Sequence, residues 1–165
     1  ADSVPNSVRA ALTRWVASVH ELAESSRSAN DPDVRLAADV ARLGRIPIVH
    51  GAAIRWIGTA FAVGPEGGPC YRCLFEDIPP GAQAGCDLAG VVGPVCGVVG
   101  ALQAQLALDV LDGKAPFGTL LSLDGLRDEL RTRRIHGRSR CALCGTAPTI
   151  DAIDAARYQA QSEDY

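Results

Sequence analysis

Methionine is absent from the 165 residues and aromatic residues make up only 5% of them, so any core has to be built from Ala, Val, Leu and Ile. A strong excess of one charge is missing as well: the formal net charge of −3 excludes a global basic field that would draw the chain to nucleic acid. The longest apolar stretch, Val91 to Leu102, is glycine-rich, interrupted by Pro94 and shorter than a bilayer span needs. No basic segment followed by an apolar one stands at the N-terminus, so the expectation is a soluble, cytoplasmic chain without a signal peptide. The low hydrophobicity that marks disorder is also lacking, because 47% apolar residues can bury enough surface to offset the entropy of folding. A chain of 165 residues suits one domain, and two independent cores would be cramped.

What the chain does have is six cysteines, at positions 70, 73, 86, 96, 141 and 144. Four of them form two pairs, Cys70-Tyr-Arg-Cys73 and Cys141-Ala-Leu-Cys144. Each pair can present two thiolates on one side of a turn, and the two turns together fit a tetrahedral zinc ion. A redox dithiol would explain one pair and leave the other idle. A disulfide framework belongs to small secreted chains, and neither the composition nor the N-terminus points that way. Structural zinc is the reading that uses all four. Cys96 lies in the apolar start of a helix pattern, where a free cysteine ordinarily serves as a small buried hydrophobe.

Along the chain, Val8, Leu12, Trp15, Val19 and Leu22 recur at helical spacing and predict an amphipathic helix over 7–24. A second helix is expected over 33–43, with Val34, Ala37, Ala38 and Ala41 or Leu43 inward and Gly44 ending it. The run 46–50 reads as a buried strand, 53–63 continues in strand character, and the Gly-Pro stretch 64–69 turns the chain into the first cysteine pair. Residues 75–90 hold two prolines and three glycines without periodicity and read as a long loop carrying Cys86. A third helix is expected over 95–111, with Val99, Leu102, Leu106 and Val110 as its core stripe. Its Gly97, Gly100, Ala101 and Ala104 would let a neighbouring backbone approach, and Gly113 stops it. Strands 117–123 and 126–135 are expected to join at Asp124-Gly125, a hairpin dipeptide.

In this order the segments resemble the C-terminal half of the MoeB/ThiF/HesA family, bacterial relatives of ubiquitin-activating enzymes. The resemblance is carried by Pro47-Ile-Val-His-Gly-Ala-Ala-Ile-Arg55, Pro69-Cys-Tyr-Arg-Cys-Leu74 and Cys86-Asp-Leu-Ala-Gly-Val-Val-Gly-Pro94. It continues through the helix ending at Leu111 with its Gln103-Ala104, through Cys141-Ala-Leu-Cys-Gly145, and through Pro148-Thr-Ile150. It implies an α/β fold, the C-terminal part of a Rossmann-like mixed sheet with antiparallel strands and a four-cysteine zinc clamp. The domain expectation is an N-terminal helical segment over 1–28, the family region over 29–150 and a polar tail over 151–165. Family members adenylate the C-terminal glycine of a ubiquitin-like sulfur carrier with ATP and magnesium, and pass it to a thiol or persulfide. The resemblance therefore implies a carrier protein as partner, a homodimer or pairing with an ATP-binding half, and no membrane or nucleic-acid partner.

Two departures qualify what carries over. The family's Gly-rich phosphate loop has no counterpart here, since no GxGxxG occurs, so ATP and magnesium are expected only with a half that supplies it. Where the family shows Asp-Asn five residues before an Arg, this chain has Asn30-Asp31 before Arg35. Asp31 is thus a displaced candidate for the nucleotide site, and equally a residue at a helix N-terminus.

Among individual residues, Cys86 stands where the family carries its acceptor cysteine, with an incidental exposed thiol as the alternative. His50 reads as a hydrogen-bonded, partly buried histidine rather than a base or ligand. Arg55 could meet a carrier tail or make a structural ion pair. The arginines between 127 and 140 read as strand-face charge rather than a nucleic-acid patch, because stacking aromatics are missing there. Three functions follow: a catalytic C-terminal half separated from its ATP-binding half, a degenerate non-catalytic zinc module binding a protein, or an unrelated zinc knuckle on nucleic acid. Segment order across about 120 residues sets the last aside.

Overall fold

A computed structural model of the protein describes residues 32–75 and 90–158. The helix expected over 7–24, Asp31, Cys86 with most of its loop, and the end of the tail lie outside the described residues. The elements are α1 (Pro32–Leu43), β1 (Ile48–Ile54), β2 (Ile57–Val63), a single helical turn α2 (Tyr71–Leu74), α3 (Gly93–Leu111), β3 (Thr119–Asp124) and β4 (Glu129–Arg134). A 3-10 turn (Ala155–Tyr158) follows. The four strands form one antiparallel sheet in the order β1-β2-β3-β4. A parallel bridge between Arg55 and Val91 is added beside it.

Alternation along the strands sends successive side chains to opposite faces and creates two cores. On one face Phe61 and Val63 meet Ala38 of α1 and the cysteine turns, with Tyr71, Leu143 and Ile150 completing the cluster. On the other face Val49, Ala60 and Ala62 meet Leu106 of α3, with Leu102, Val110, Phe117 and Leu121 packed around them. The strand residues under α3 are small. A Cβ at Gly58 would overlap the Val99 side chain, and one at Gly51 would overlap the Gln103 amide. The helix lies close because the strands, not the helix, give up their side chains. The glycines expected to permit that approach, Gly97 and Gly100, instead point into open space.

Other expectations are corrected at the element ends. Ile46 precedes β1 and is exposed. The left-handed turn after α1 is made by Arg45 at φ 54, one residue beyond Gly44. Residues 53–63 divide into two strands, because Arg55 at φ 51 and Trp56 form a two-residue turn that pairs Ile54 with Ile57. The β3–β4 connection has four residues, Gly125 to Asp128, since Asp124 pairs with Glu129. The α3 helix runs 19 residues, two beyond its expected start, with Gly113 at φ 69 closing it. By length and composition it could cross a bilayer, with mean hydropathy 1.5. Here its inner side, with Val95, Val99 and Leu106, is buried. Its outer side is bare: Val98, Leu108 and Leu111 are 43%, 58% and 46% exposed. Cys96 is exposed too, which corrects its expected burial and follows from its place on that outer side.

Candidate metal centre

The two cysteine pairs stand 71 residues apart in sequence, and the fold brings them together. In the first pair Cys70 stands at the N-cap of α2 and Cys73 within it, packed under Phe61 and Val63; the second follows β4, where turns around Arg138–Gly145 return the chain to the same face. Cys70 Sγ lies 3.5 Å from Cys141 Sγ, and Cys73 Sγ lies 3.4 Å from Cys144 Sγ. Cys70 and Cys73 are 4.0 Å apart. All four sulfurs fall within 4.8 Å of one another, three on buried residues and Cys144 on a half-buried one. A tetrahedral zinc with bonds of about 2.3 Å places its sulfurs about 3.8 Å apart, so the donor set fits that ion.

Electrostatics point the same way. Burial pushes the Cys70 thiol far up, and its three cysteine neighbours add to the rise. Burial also carries Cys144 up to about 11. Cys141 goes the other way: against burial, the backbone N–H groups of Cys144 and Leu143 bring it down to about 7. Four thiolates this close need a dication between them. The backbone N–H of Arg138 approaches Cys73 Sγ at 3.4 Å, orienting one donor from outside. With four sulfurs the shell is closed, the arrangement of a structural rather than a catalytic zinc.

An ionic assembly that the sequence did not disclose stands behind the cluster. Arg72, inside the first pair, bonds both oxygens of Asp39 through Nε at 2.9 Å and Oδ2 through Nη2 at 2.6 Å. Asp39 is fully buried, and Tyr158 donates its hydroxyl to Oδ2 at 2.7 Å. Burial, then the adjacent carboxylate, raises the Tyr158 phenol above its ordinary range. The available signal was a lone carboxylate next to the inward Ala38 in an otherwise apolar stretch of α1.

His50 departs from expectation. Its Nε2 is buried without a hydrogen-bond partner among the described residues, although part of the residue surface remains open. The ring packs on Tyr71 at 4.4 Å and Phe61 at 5.8 Å, and burial lowers its pKa to about 4. Arg55 is exposed and makes no ion pair among the described residues; its backbone N–H instead bonds Gly90 O at 2.9 Å. The basic stretch is largely engaged within the protein: Arg127 with Asp124, Arg131 with Glu129, and Arg134 with the Thr119 hydroxyl. Arg138 donates to the Arg72 carbonyl.

Comparison with known proteins places this geometry. The ThiF family pattern matches residues 33–145, which includes both cysteine pairs. The chain belongs to the ThiF family. It is 41% identical over 123 residues to the adenylyltransferase and sulfurtransferase MOCS3 of Caenorhabditis briggsae, covering 69% of this chain and 30% of that protein. It is 37% identical over 148 residues to the SAMP-activating enzyme E1 of Haloferax volcanii, covering 85% of this chain and 54% of the relative. The chain thus spans from about a quarter to about half of the length of the relatives it matches. In structure it resembles E. coli MccB, with a TM-score of 0.55 at 14% identity over 68% of this chain and 35% of that one. A heterocyclase is similar as well, with a TM-score of 0.57 at 14% identity over 72% of this chain and 20% of that one. Both likenesses concern the fold.

Proposed function

We propose that this chain is the C-terminal portion of an ATP-dependent adenylyltransferase activating the C-terminal glycine of a ubiquitin-like sulfur-carrier protein. The product would be thiamin, molybdopterin or a related sulfur compound. The observation that carries the reading is the 41% identity to a protein named for both adenylyl and sulfur transfer. In the reaction, a carboxylate oxygen of the carrier attacks the α-phosphorus of ATP and the bond to pyrophosphate breaks. Cys86 is the acceptor in this reading. Its thiolate attacks the acyl carbon, AMP departs with the broken bond, and the thiol proton passes to solvent. ATP and magnesium are held by an N-terminal half, to which Asp31 would add a carboxylate. Cys70, Cys73, Cys141 and Cys144 hold a structural zinc that fixes the sheet against both cysteine turns and takes no part in the chemistry.

The bare outer side of α3 supports a further layer there, either that half or a second copy of the chain. Apolar residues such as Leu108, 58% exposed, gain by being covered.

The test has three arms. Calorimetry of the chain alone in magnesium buffer should show no tight ATP binding, because a triphosphate needs converging N–H groups and cations. With an ATP-binding half and a glycine-terminated carrier supplied, pyrophosphate should exchange into ATP, and deleting the glycine should stop it. Cys86→Ser should preserve that exchange while abolishing the thioester; Cys96→Ser should change neither. Tight ATP binding by the chain alone contradicts the division of labour. Failure of exchange with the half supplied favours a non-catalytic zinc module that binds a protein partner.

A further inference from the structure

Arg72 sits between the two ligands of the first cysteine pair, so whatever holds its guanidinium also holds the turn that aims Cys70 and Cys73. The holder is Asp39, whose Oδ2 receives Arg72 Nη2 at 2.6 Å and the Tyr158 hydroxyl at 2.7 Å. Tyr158 comes from the far side of the second cysteine pair, 119 residues beyond Asp39. The chain between that pair and Tyr158 is tied to the second cysteine turn at its start and folded into a local turn at its end. Thr149 and Ile150 donate backbone N–H groups to Ala142 O, between Cys141 and Cys144, at 2.8 and 2.9 Å. Near Tyr158, Ala156 N bonds Asp154 Oδ1 at 3.1 Å and Arg157 N bonds Asp154 O at 3.0 Å. The strap therefore starts on one cysteine turn and ends on the carboxylate that grips the other.

We propose that residues 151–158 are a latch on the metal centre, with Tyr158 as a positioning residue for the Cys70–Cys73 turn, so that latch docking and zinc retention are coupled. The latch rests on the reading that the four cysteines bind zinc. Its mechanism is local. Withdrawing Tyr158 removes a donor from Asp39 and opens a buried ion pair to water, which loosens Arg72. The turn then has freedom to swing one thiolate off the metal, the first step of release. Coupling of two binding events is reciprocal, so losing zinc must also weaken docking of the latch.

Zinc release from the loaded chain to a chromophoric chelator tests one direction. Tyr158→Phe should release about tenfold faster, the scale of one hydrogen bond to a charged group, and a chain ending at Asp154 at least as fast. Asp151→Ala lies on the same strap, but its side chain is exposed and stands outside the Asp39–Arg72–Tyr158 assembly, and it should stay within about twofold. Trypsin tests the reverse direction at the exposed Arg157. In the parent chain zinc should slow that cut far more than cuts at Arg131 and Arg133, and in Tyr158→Phe that extra protection should vanish. Release within twofold of the parent in both latch variants overturns the latch while leaving the metal site standing. So does equal zinc sensitivity of the Arg157 cut in parent and variant. A parent chain that takes up no zinc overturns the metal reading itself, and the latch with it.

Discussion

A buried imidazole nitrogen without a hydrogen-bond partner among the described residues is an acid-sensitive point in the fold. His50 holds its proton only below about pH 4 in the folded chain, against about 6.5 when unfolded. Between those values the unfolded chain binds the extra proton, so stability is complete above about 6.5 and falls as pH drops towards 4, by about 3 kcal/mol at most. His50→Phe keeps a ring between Phe61 and Tyr71 and removes the titration. Urea unfolding of both proteins in one zinc-containing buffer should show the variant gaining on the parent by that amount between pH 7 and 4; parallel pH profiles would contradict this. Asp39 makes the opposite kind of prediction. Asp39→Ala leaves Arg72 buried without its carboxylate and should cost about 3–5 kcal/mol of unfolding free energy. A loss below about 1 kcal/mol would mean that water replaces the carboxylate freely.

At the scale of elements, the contact between α3 and the sheet is set by missing side chains on the strands. Gly58→Val would drive two methyl groups into Val99 and should cost about 1–3 kcal/mol, read as a lowered urea midpoint, whereas Gly97→Ala should not destabilise the chain. The reverse ranking would put the close approach on the helix. This is also where the sequence was least legible. Periodicity located the inward stripe of α3 and the inward side of α1, because helical spacing is a property of one segment. It could not say which partner supplied the small residues, since that depends on register between β1 and β2. Nor could it separate Gly44 from Arg45 as the left-handed residue, because a one-residue difference at a helix end leaves the hydrophobic pattern unchanged. The apolar neighbours of Cys96 predict burial. An apolar helix exposed on one side defeats that inference.

Across the whole molecule, the legible part was the chemistry that repeats a spacing. Two CxxC pairs announced one four-sulfur cluster although 71 residues separate them. The Asp39–Arg72–Tyr158 assembly left only the lone carboxylate beside Ala38 as a sign, because its three residues share no spacing and meet only through the fold. On the reading proposed above, the cysteine cluster is a zinc site that closes the fold. Its most direct test is metal analysis of freshly purified, chelator-free protein, combined with zinc-edge absorption spectroscopy. One zinc per chain in a shell of four sulfurs at about 2.3 Å is expected. Less than about half an equivalent of zinc, or a shell containing nitrogen or oxygen ligands, would contradict it.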